Sequence, residues 1–443
     1  MAEIARGNIG IGGPQWILVA DDESGIGTLT IESTGVDLTW NQMNGPWYEY
    51  LPQINIVNIT TPIQVAGSID GLFANLTRVT TFKGLFHLNM VKNGTLATMD
   101  DLFFKTSTIV GYGMLGTAFW TVQVENEIGL LEIGAGAFEW LGLREVPSGI
   151  QGETEWIPTS PWDNHRINIH SIHIMDNLTI NNKARNLFYF LNRATEITGL
   201  DKITTTGVTD IGGMFRNMWA LNTVDISAFD TTDITDMSWL FSNTWNLSEI
   251  TFPNPLSSGS WSTSNVTTME SMFYNAKALT TLDISNWDTS KVTNMCYMFY
   301  RTHNLTYLDV DWDTSKVTDM SFMFYQCGVR QSAPPYDLDI SKWIIGQTDM
   351  TWAFYRDKVN PNPLIPYDRT NPDTYQRIPD PILVDIAVLI AQWKEAEKEG
   401  IYKCVANIFG VEDDQLLWLW DPGLVLPDCA DYTKANCDQL SLV

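Results

Sequence analysis

The residues that could do chemistry are few. Of the five histidines, His165, His170 and His173 lie close together in the chain. Imidazoles ligate zinc, but a zinc site needs three or four ligands held in one geometry. His170 and His173 fall in a segment, 167–174, that reads as a strand, and residues three apart on a strand point to opposite faces. Solvated or core histidines are the expected reading, and no metal is assigned. The cysteines are Cys296, Cys327, Cys404, Cys429 and Cys437, an odd number without a Cys-x-x-Cys pair. They read as free, mostly buried thiols, with a pairing of Cys429 and Cys437 as the one alternative. Neighbouring acids such as Asp21-Asp22, Asp100-Asp101 and Asp413-Asp414 are too unspecific to nominate a general acid and base. There is no Gly-x-Ser-x-Gly, His-Glu-x-x-His, phosphate loop, dinucleotide fingerprint or alternating-Asp calcium loop. The expectation is a protein without catalytic residues and without a cofactor.

What positions the remaining distinctive side chains is a repeat. One segment recurs six times: VTDIGGMF from Val208, ITDMSWLF from Ile234, VTTMESMF from Val266, VTNMCYMF from Val292, VTDMSFMF from Val317 and QTDMTWAF from Gln347. The steps between copies are 26, 32, 26, 25 and 30 residues. A period of 20–50 residues is the signature of stacked supersecondary units, and the longer steps mark loop insertions. Short alternating runs, at Val224, Leu282, Leu308 and Leu338, place apolar residues at i and i+2 on one face of a strand. An aromatic follows each run: Phe229, Trp261, Trp287, Trp312 and Trp343. Asp-Thr-Ser usually comes next and suits a tight turn, because Asp and Ser side chains bond nearby backbone amides. The closing Met/Leu-Phe, with Phe241, Phe273, Phe299, Phe324 and Phe354, supplies the second wall from a short helical or 3-10 turn. Core packing is the expected role of all these rings. A surface aromatic ladder for a ligand is the alternative.

WDTSKVTNMCYMF (287–299) and WDTSKVTDMSFMF (312–324) resemble the BspA-type leucine-rich repeats of bacterial and Mycoplasma surface proteins. The resemblance is specific across 208–354 and implies adhesion rather than catalysis. GTLTI (27–31), followed by Pro46, Trp47 and Tyr50, resembles the opening module of such proteins. Ser33 departs from that pattern where a glycine is expected, and Gly35 keeps the second one. The fold expected is a β-rich repeat solenoid with short helical or 3-10 turns, a BspA-type leucine-rich repeat with an N-terminal β cap and a partly helical C-terminal module.

The chain then divides as follows. Residues 1–13, with four glycines, read as a flexible arm. Residues 14–59 read as the cap that a solenoid needs over its first core face. Residues 60–207 read as degenerate repeats, with IGAGAF (133–138) similar to the other common BspA repeat type and an insertion near 147–182. That insertion holds Trp156, Trp162 and His165 and is the expected binding loop. Residues 208–355 are the regular repeats. Residues 356–443 read as a proline-rich connection and a helical module, with Asp380-Pro381 as a helix start and an apolar face from Ile382 to Trp393.

The formal net charge of −26 argues against nucleic acid or an anionic membrane as partner, since both are bound by basic patches. No apolar run has the length of a signal peptide or a membrane span. Asn-x-Ser/Thr triplets such as Asn177-Leu-Thr and Asn304-Leu-Thr follow the repeat and need no glycan to explain them. These readings converge on a non-enzymatic structural or adhesion protein. The expected setting is a bacteriophage virion, as a tail or head fibre or a decoration protein, which reaches the outside by lysis. Its partners would then be other virion proteins and a host surface protein or glycan, with a homo-oligomer left open. A bacterial or protist cell-surface adhesin and an intracellular scaffold are the alternatives.

Overall fold

The computed structural model describes residues 2–339 apart from 22, 140–141, 148–153, 253–261, 307, 309 and 329–335, together with 343–344, 348–350, 353 and 359–362. For 142–147, 154–159, 336–339 and 359–362 it describes the backbone alone. Trp261, Phe354 and the expected C-terminal helical module lie outside the described residues.

The first segment runs through β1 (Ala2–Asn8), β2 (Gln15–Ala20), β3 (Gly27–Glu32), β4 (Leu38–Asn41), β5 (Ile56–Ile59), β6 (Ile63–Asp70), β7 (Thr81–Lys83) and β8 (Leu88–Asn89). A short hairpin follows, β9 (Val91–Lys92) and β10 (Thr95–Leu96). Of the residues expected as a loose arm, 2–8 are thus a strand. β1 pairs antiparallel with β2 and β2 with β3, while β5 and β7 add on in parallel. β4, β6 and β8 form the second wall.

The same architecture then begins again. β11 (Ile109–Leu115), β12 (Ala118–Glu125) and β13 (Ile128–Ile133) are antiparallel, and β14 (Gly136–Phe138) leads to a hairpin of β15 (Gly142–Pro147) and β16 (Thr154–Thr159). After it come β17 (Ile169–Ile174), β18 (Leu178–Ile180), β19 (Glu196–Thr198) and β20 (Ile203–Thr204). The sheet orders are β1-β2-β3-β5-β7 with β4-β6-β8 in the first segment, and β11-β12-β13-β17-β19 with β14-β18-β20 in the second. The side chains match as well. Trp16 meets Trp47 edge-on at 6.2 Å, and Trp120 meets Trp162 edge-on at 6.0 Å. Gly27 and Gly129 both lie under a backbone carbonyl, where a Cβ would stand 1.8 Å from Gln53 O and 1.7 Å from Asn168 O. A second cap, at 109–138, therefore interrupts the stretch expected as degenerate repeats, whose rings Phe73, Phe103 and Phe188 do stack in repeat fashion on either side of it. The insertion is the β15–β16 hairpin, ahead of Trp162, rather than 147–182.

After β20 regular strands almost vanish among the described residues. β21 (Thr223–Asp225) pairs in parallel with β22 (Glu249–Thr251), and β23 (Tyr336–Asp339) with β24 (Val359–Asn362). Between them a single column of parallel bridges runs Lys183–Asp210–Asp236–Thr268–Asn294–Asp319–Asp349, one residue per turn. The turns of the solenoid are joined instead by amides that all donate the same way. Ile211, Gly213, Phe215 and Asn217 donate to Asp236, Ser238, Leu240 and Ser242 of the next turn at 2.8–3.2 Å. Trp239, Phe241 and Asn243 repeat this onto Glu270, Met272 and Tyr274.

Within each turn the Met/Leu-Phe segment is not helical. Its second wall consists of tight turns, because the residues two before and two after the core Phe have positive φ: Gly213 and Asn217 around Phe215, Trp239 and Asn243 around Phe241, Tyr297 and Arg301 around Phe299. Each such residue reverses the helical sense, so a helix cannot propagate. The 3-10 turns that do form are at Tyr48–Gln53, Leu85–His87, Asp163–Asn168 and Leu200–Lys202.

The core is an aromatic spine. Trp162, Phe188, Phe215, Phe241, Phe273, Phe299 and Phe324 stack nearly parallel, with centroids 5.3–6.3 Å apart. Each ring is fully buried. Trp47, Phe73 and Phe103 form the shorter spine of the first segment. The expected core rings Phe229, Trp287, Trp312 and Trp343 are buried too, and Trp312 stacks on Trp343 at 6.2 Å. The Asp-Thr-Ser turns form as expected, with Asp288 and Asp313 accepting from the Ser290 and Ser315 amides at 3.0 and 2.9 Å. The buried threonines between them, Thr289 and Thr314, donate to carbonyls of the following turn.

Trp312→Ala and Trp287→Ala should each cost about 3–5 kcal/mol, because a large buried ring leaves a cavity the turns cannot close. Denaturant unfolding of both variants checks this.

Candidate functional site

The expected binding loop is dispersed by the fold. Trp162 is fully buried and is the first ring of the long spine. His165 packs against Trp120 at 6.1 Å, and burial holds its imidazole below the ordinary histidine range, in the neutral form. Trp156 lies on β16 with Glu145 opposite in the ladder. Two of the three residues are thus structural parts of the second cap. His170 Nδ1 lies 3.1 Å from the Gly129 amide, and His173 Nε2 lies 4.0 Å from Glu196. Among the described residues no group of three His, Cys, Asp or Glu is placed to hold a metal ion.

The thiols and acids in the repeats have structural partners. Cys296 is buried, and desolvation pushes its thiol up to about 12, so the nucleophilic thiolate is not formed near neutral pH. Cys327 accepts a hydrogen bond from Thr302 Oγ1 at 3.2 Å. Asp210, Asp236 and Asp319 each cap their own turn, accepting from the amide two residues on at 2.8–2.9 Å. Arg185 bridges Asp210, at 2.8 Å, to Asp236.

What the fold does bring together is a stripe of half-buried aromatic and cationic side chains, outside the spine. It grows from the tight turns around each core Phe. Tyr274, Tyr300 and Tyr325 stack over three successive turns at 4.7 and 4.9 Å. Beside them Tyr297 stacks on Phe322 at 4.7 Å with planes 4° apart. Trp219 and Trp245 stack at 4.8 Å and 5°, and Phe190 meets Trp219 edge-on at 5.6 Å. Trp239 meets Tyr274 at 6.0 Å, and Arg216 lies over both Trp239 and Tyr189, the latter 5.6 Å from Phe190. Four cations lie over these rings: Arg166 over Phe190 at 4.9 Å, Arg216 over Trp239 at 4.3 Å, Lys277 over Trp245 at 4.4 Å and Arg301 over Tyr300 at 5.2 Å. Arg166 is also paired with Asp163 at 3.2 Å, and Asp319 lies close enough to raise the Tyr297 phenol, so cations and acids alternate along the stripe.

In the stacked pairs Trp219–Trp245, Tyr274–Tyr300, Tyr300–Tyr325 and Tyr297–Phe322, each ring covers a face of its neighbour and leaves its edges unstacked. Ring edges carry the positive end of the aromatic quadrupole. Burial also pushes the Tyr274 and Tyr297 phenols above the ordinary tyrosine range. They remain O–H groups at neutral pH. The stripe can therefore donate hydrogen bonds and engage acceptors or negative charge, while its rings supply apolar area.

The backbone beneath the stripe is costly. Phe190, Trp239, Tyr297 and Phe322 have φ of +63°, +61°, +57° and +56°. A bulky residue in the left-handed region costs about 1–2 kcal/mol. At the same positions of other turns stand residues that tolerate it better: Asn186, Gly213, Asn217 and Asn243. Stacking returns about 0.5–1.5 kcal/mol per pair, so the aromatics gain the fold little. Strain kept without a folding benefit points to a functional surface.

The core role expected for the repeat rings holds for Phe229, Trp287, Trp312 and Trp343, and the surface ladder is formed by other rings, which the sequence reading did not single out. The available signal was the residue two before each core Phe, which is Asn186, Gly213 and Ser271 in three turns but Trp239, Tyr297 and Phe322 in three others. Tyr297→Asn and Phe322→Asn should each shift stability by less than about 1 kcal/mol, strain relief offsetting lost stacking. Denaturant titration of each variant gives the comparison.

Residues 182–280 and 246–364 match the family model described as "Mycoplasma protein of unknown function, DUF285". No curated protein and no solved structure matches the chain. The matched stretches contain all six copies of the repeated segment and most of the aromatic stripe, so the surface just described is similar in its framework to the repeats of that Mycoplasma family.

Proposed function

We propose that this protein is a recognition protein without catalytic function, whose solenoid displays the aromatic–cationic stripe to an extended partner. The observation that carries this reading is the placement of Trp239, Tyr297 and Phe322, half-exposed, on backbone that disfavours them. The composition agrees with it. Tyr, Trp and Arg are the residues enriched at binding hot spots, where rigid rings contribute contact area at small entropic cost. The stripe is linear and follows the repeat, which suits a partner that is itself extended: a polypeptide segment or a glycan chain on a host surface.

The setting proposed is a virion, as a fibre or decoration protein of a bacteriophage with other virion proteins as neighbours. The second reading is an adhesin on a cell surface, which the resemblance of 208–354 to BspA-type repeats implies. Both use the same stripe. Immunogold labelling of a culture lysate separates them, with gold on particles for the first and on cell envelopes for the second.

Binding to intact target cells and to arrayed glycans and surface proteins tests the stripe itself. The triple variant Trp245→Ala, Tyr297→Asn, Phe322→Asn should lose at least about tenfold in affinity, equivalent to about 1.4 kcal/mol, while its melting temperature stays within a few degrees. Unchanged affinity in a folded triple variant would remove the stripe from the account.

A further inference from the structure

The two caps present the same sheet to different surroundings. In the first, the outer face of β2 and β3 carries Ile17, Val19, Thr28 and Thr30, all part-exposed. In the second, the equivalent face of β12 and β13 is pressed against the end of the first segment. Thr121, Gln123 and Glu132 are 2%, 8% and 8% exposed. Phe119 joins the first segment's apolar core, and a Cβ on Gly134 would meet Phe86 at 3.2 Å.

At this joint Gln123 holds both sides. Its Oε1 accepts from the Phe82 amide of β7 at 3.2 Å, and its Nε2 donates to Glu132. By sheet register Gln123 and Glu132 replace Val19 and Thr30 of the first cap. Two polar residues, one ionisable, thus stand where the duplicated fold is satisfied by neutral ones. We propose that the joint between the two solenoid segments is a proton-controlled hinge: neutral Glu132 keeps it closed, and loss of that proton loosens it.

The surroundings of the carboxyl support the direction. Burial pushes Glu132 up to about 7, against the hydrogen bond from Gln123. The titratable groups on the neighbouring elements are engaged elsewhere or exposed. His173, in register with Glu132 on β17, is 4.0 Å from Glu196. His87 Nδ1 is on Ile59 O at 2.8 Å. Lys83, next to Phe82 on β7, is exposed. Among the described residues no cation pairs with Glu132, so ionisation leaves a buried charge with one amide donor, a costly state.

The sign follows from linkage. The closed joint keeps the proton up to about pH 7, whereas an opened joint releases it near the ordinary glutamate value. Closure is therefore fully favoured below that ordinary value, weakens as pH rises to about 7 and is constant above. Hydrogen exchange of the Phe82 amide in the full chain, corrected for intrinsic rate, should show an opening equilibrium that grows on the order of 50-fold from about pH 5 to about pH 8. The Phe241 amide, remote from the joint, should show no such growth. Glu132→Gln should match the native protein at the acid end and keep its Phe82 protection at the alkaline end. A pH-independent Phe82 in the native chain, or a Glu132→Gln chain that follows the native curve, would overturn the hinge. Should the variant not fold, the Phe82 and Phe241 comparison in the native chain decides alone.

Discussion

Everything in the long solenoid depends on one ring per turn. The stack from Trp162 to Phe324 fixes the distance between turns at the thickness of packed aromatics, 5.3–6.3 Å. That distance lets four amides of each turn reach carbonyls of the next. Neither interaction is self-sufficient. A turn of 25 or 26 residues buries too little surface alone, and its amides have partners only if a neighbour stands in register. Once ring and amide ladders are set, little regular strand is required, which is why bridges replace strands after β20.

The same constraint creates the outer surface. To bring the core Phe inward within a tight turn, the residues two before and two after it enter the left-handed region. Their side chains leave the turn on the side away from the spine. Asn and Gly satisfy that geometry cheaply, and the ladder of Asn217, Asn243 and Asn275 shows the inexpensive solution, each amide bonding the next at 2.8–3.0 Å. Where Trp, Tyr, Phe and Arg replace them, the turn exposes rings and guanidinium groups at the period of the fold. Spine and stripe are thus built from adjacent positions within and just after one eight-residue segment.

Much of this was legible in the sequence, and for definite reasons. Near-identity of 287–299 and 312–324 gave the period, and with it the core role of Phe241, Phe273, Trp287, Phe299, Trp312 and Phe324. The duplication of the cap was not legible, because only sparse matches survive. Gly27, Pro46, Trp47 and Gly84 return as Gly129, Pro161, Trp162 and Gly199, and the β15–β16 hairpin changes the offset between them. Trp162 was accordingly read as a loop residue instead of the first ring of a spine. The N-terminal glycines misled in the same way. Gly7 allows close approach, since a Cβ there would lie 2.8 Å from the Trp16 indole. It reports packing on a strand, not looseness. The left-handed positions were also hidden, because four of them are occupied by Phe190, Trp239, Tyr297 and Phe322, residues whose preferences argue for the opposite backbone.

The central claim is that the partner meets the solenoid along the stripe. Site-specific photocrosslinking tests it most directly. A photoreactive phenylalanine analogue would be placed at Phe322 on the stripe, or at Thr293, which is exposed on a different column of the repeats. Each chain is then irradiated on its target surface. The account predicts a crosslinked partner from position 322 and none from position 293. Crosslinking from position 293 with a silent position 322 would contradict it and move recognition to the column that holds Thr293.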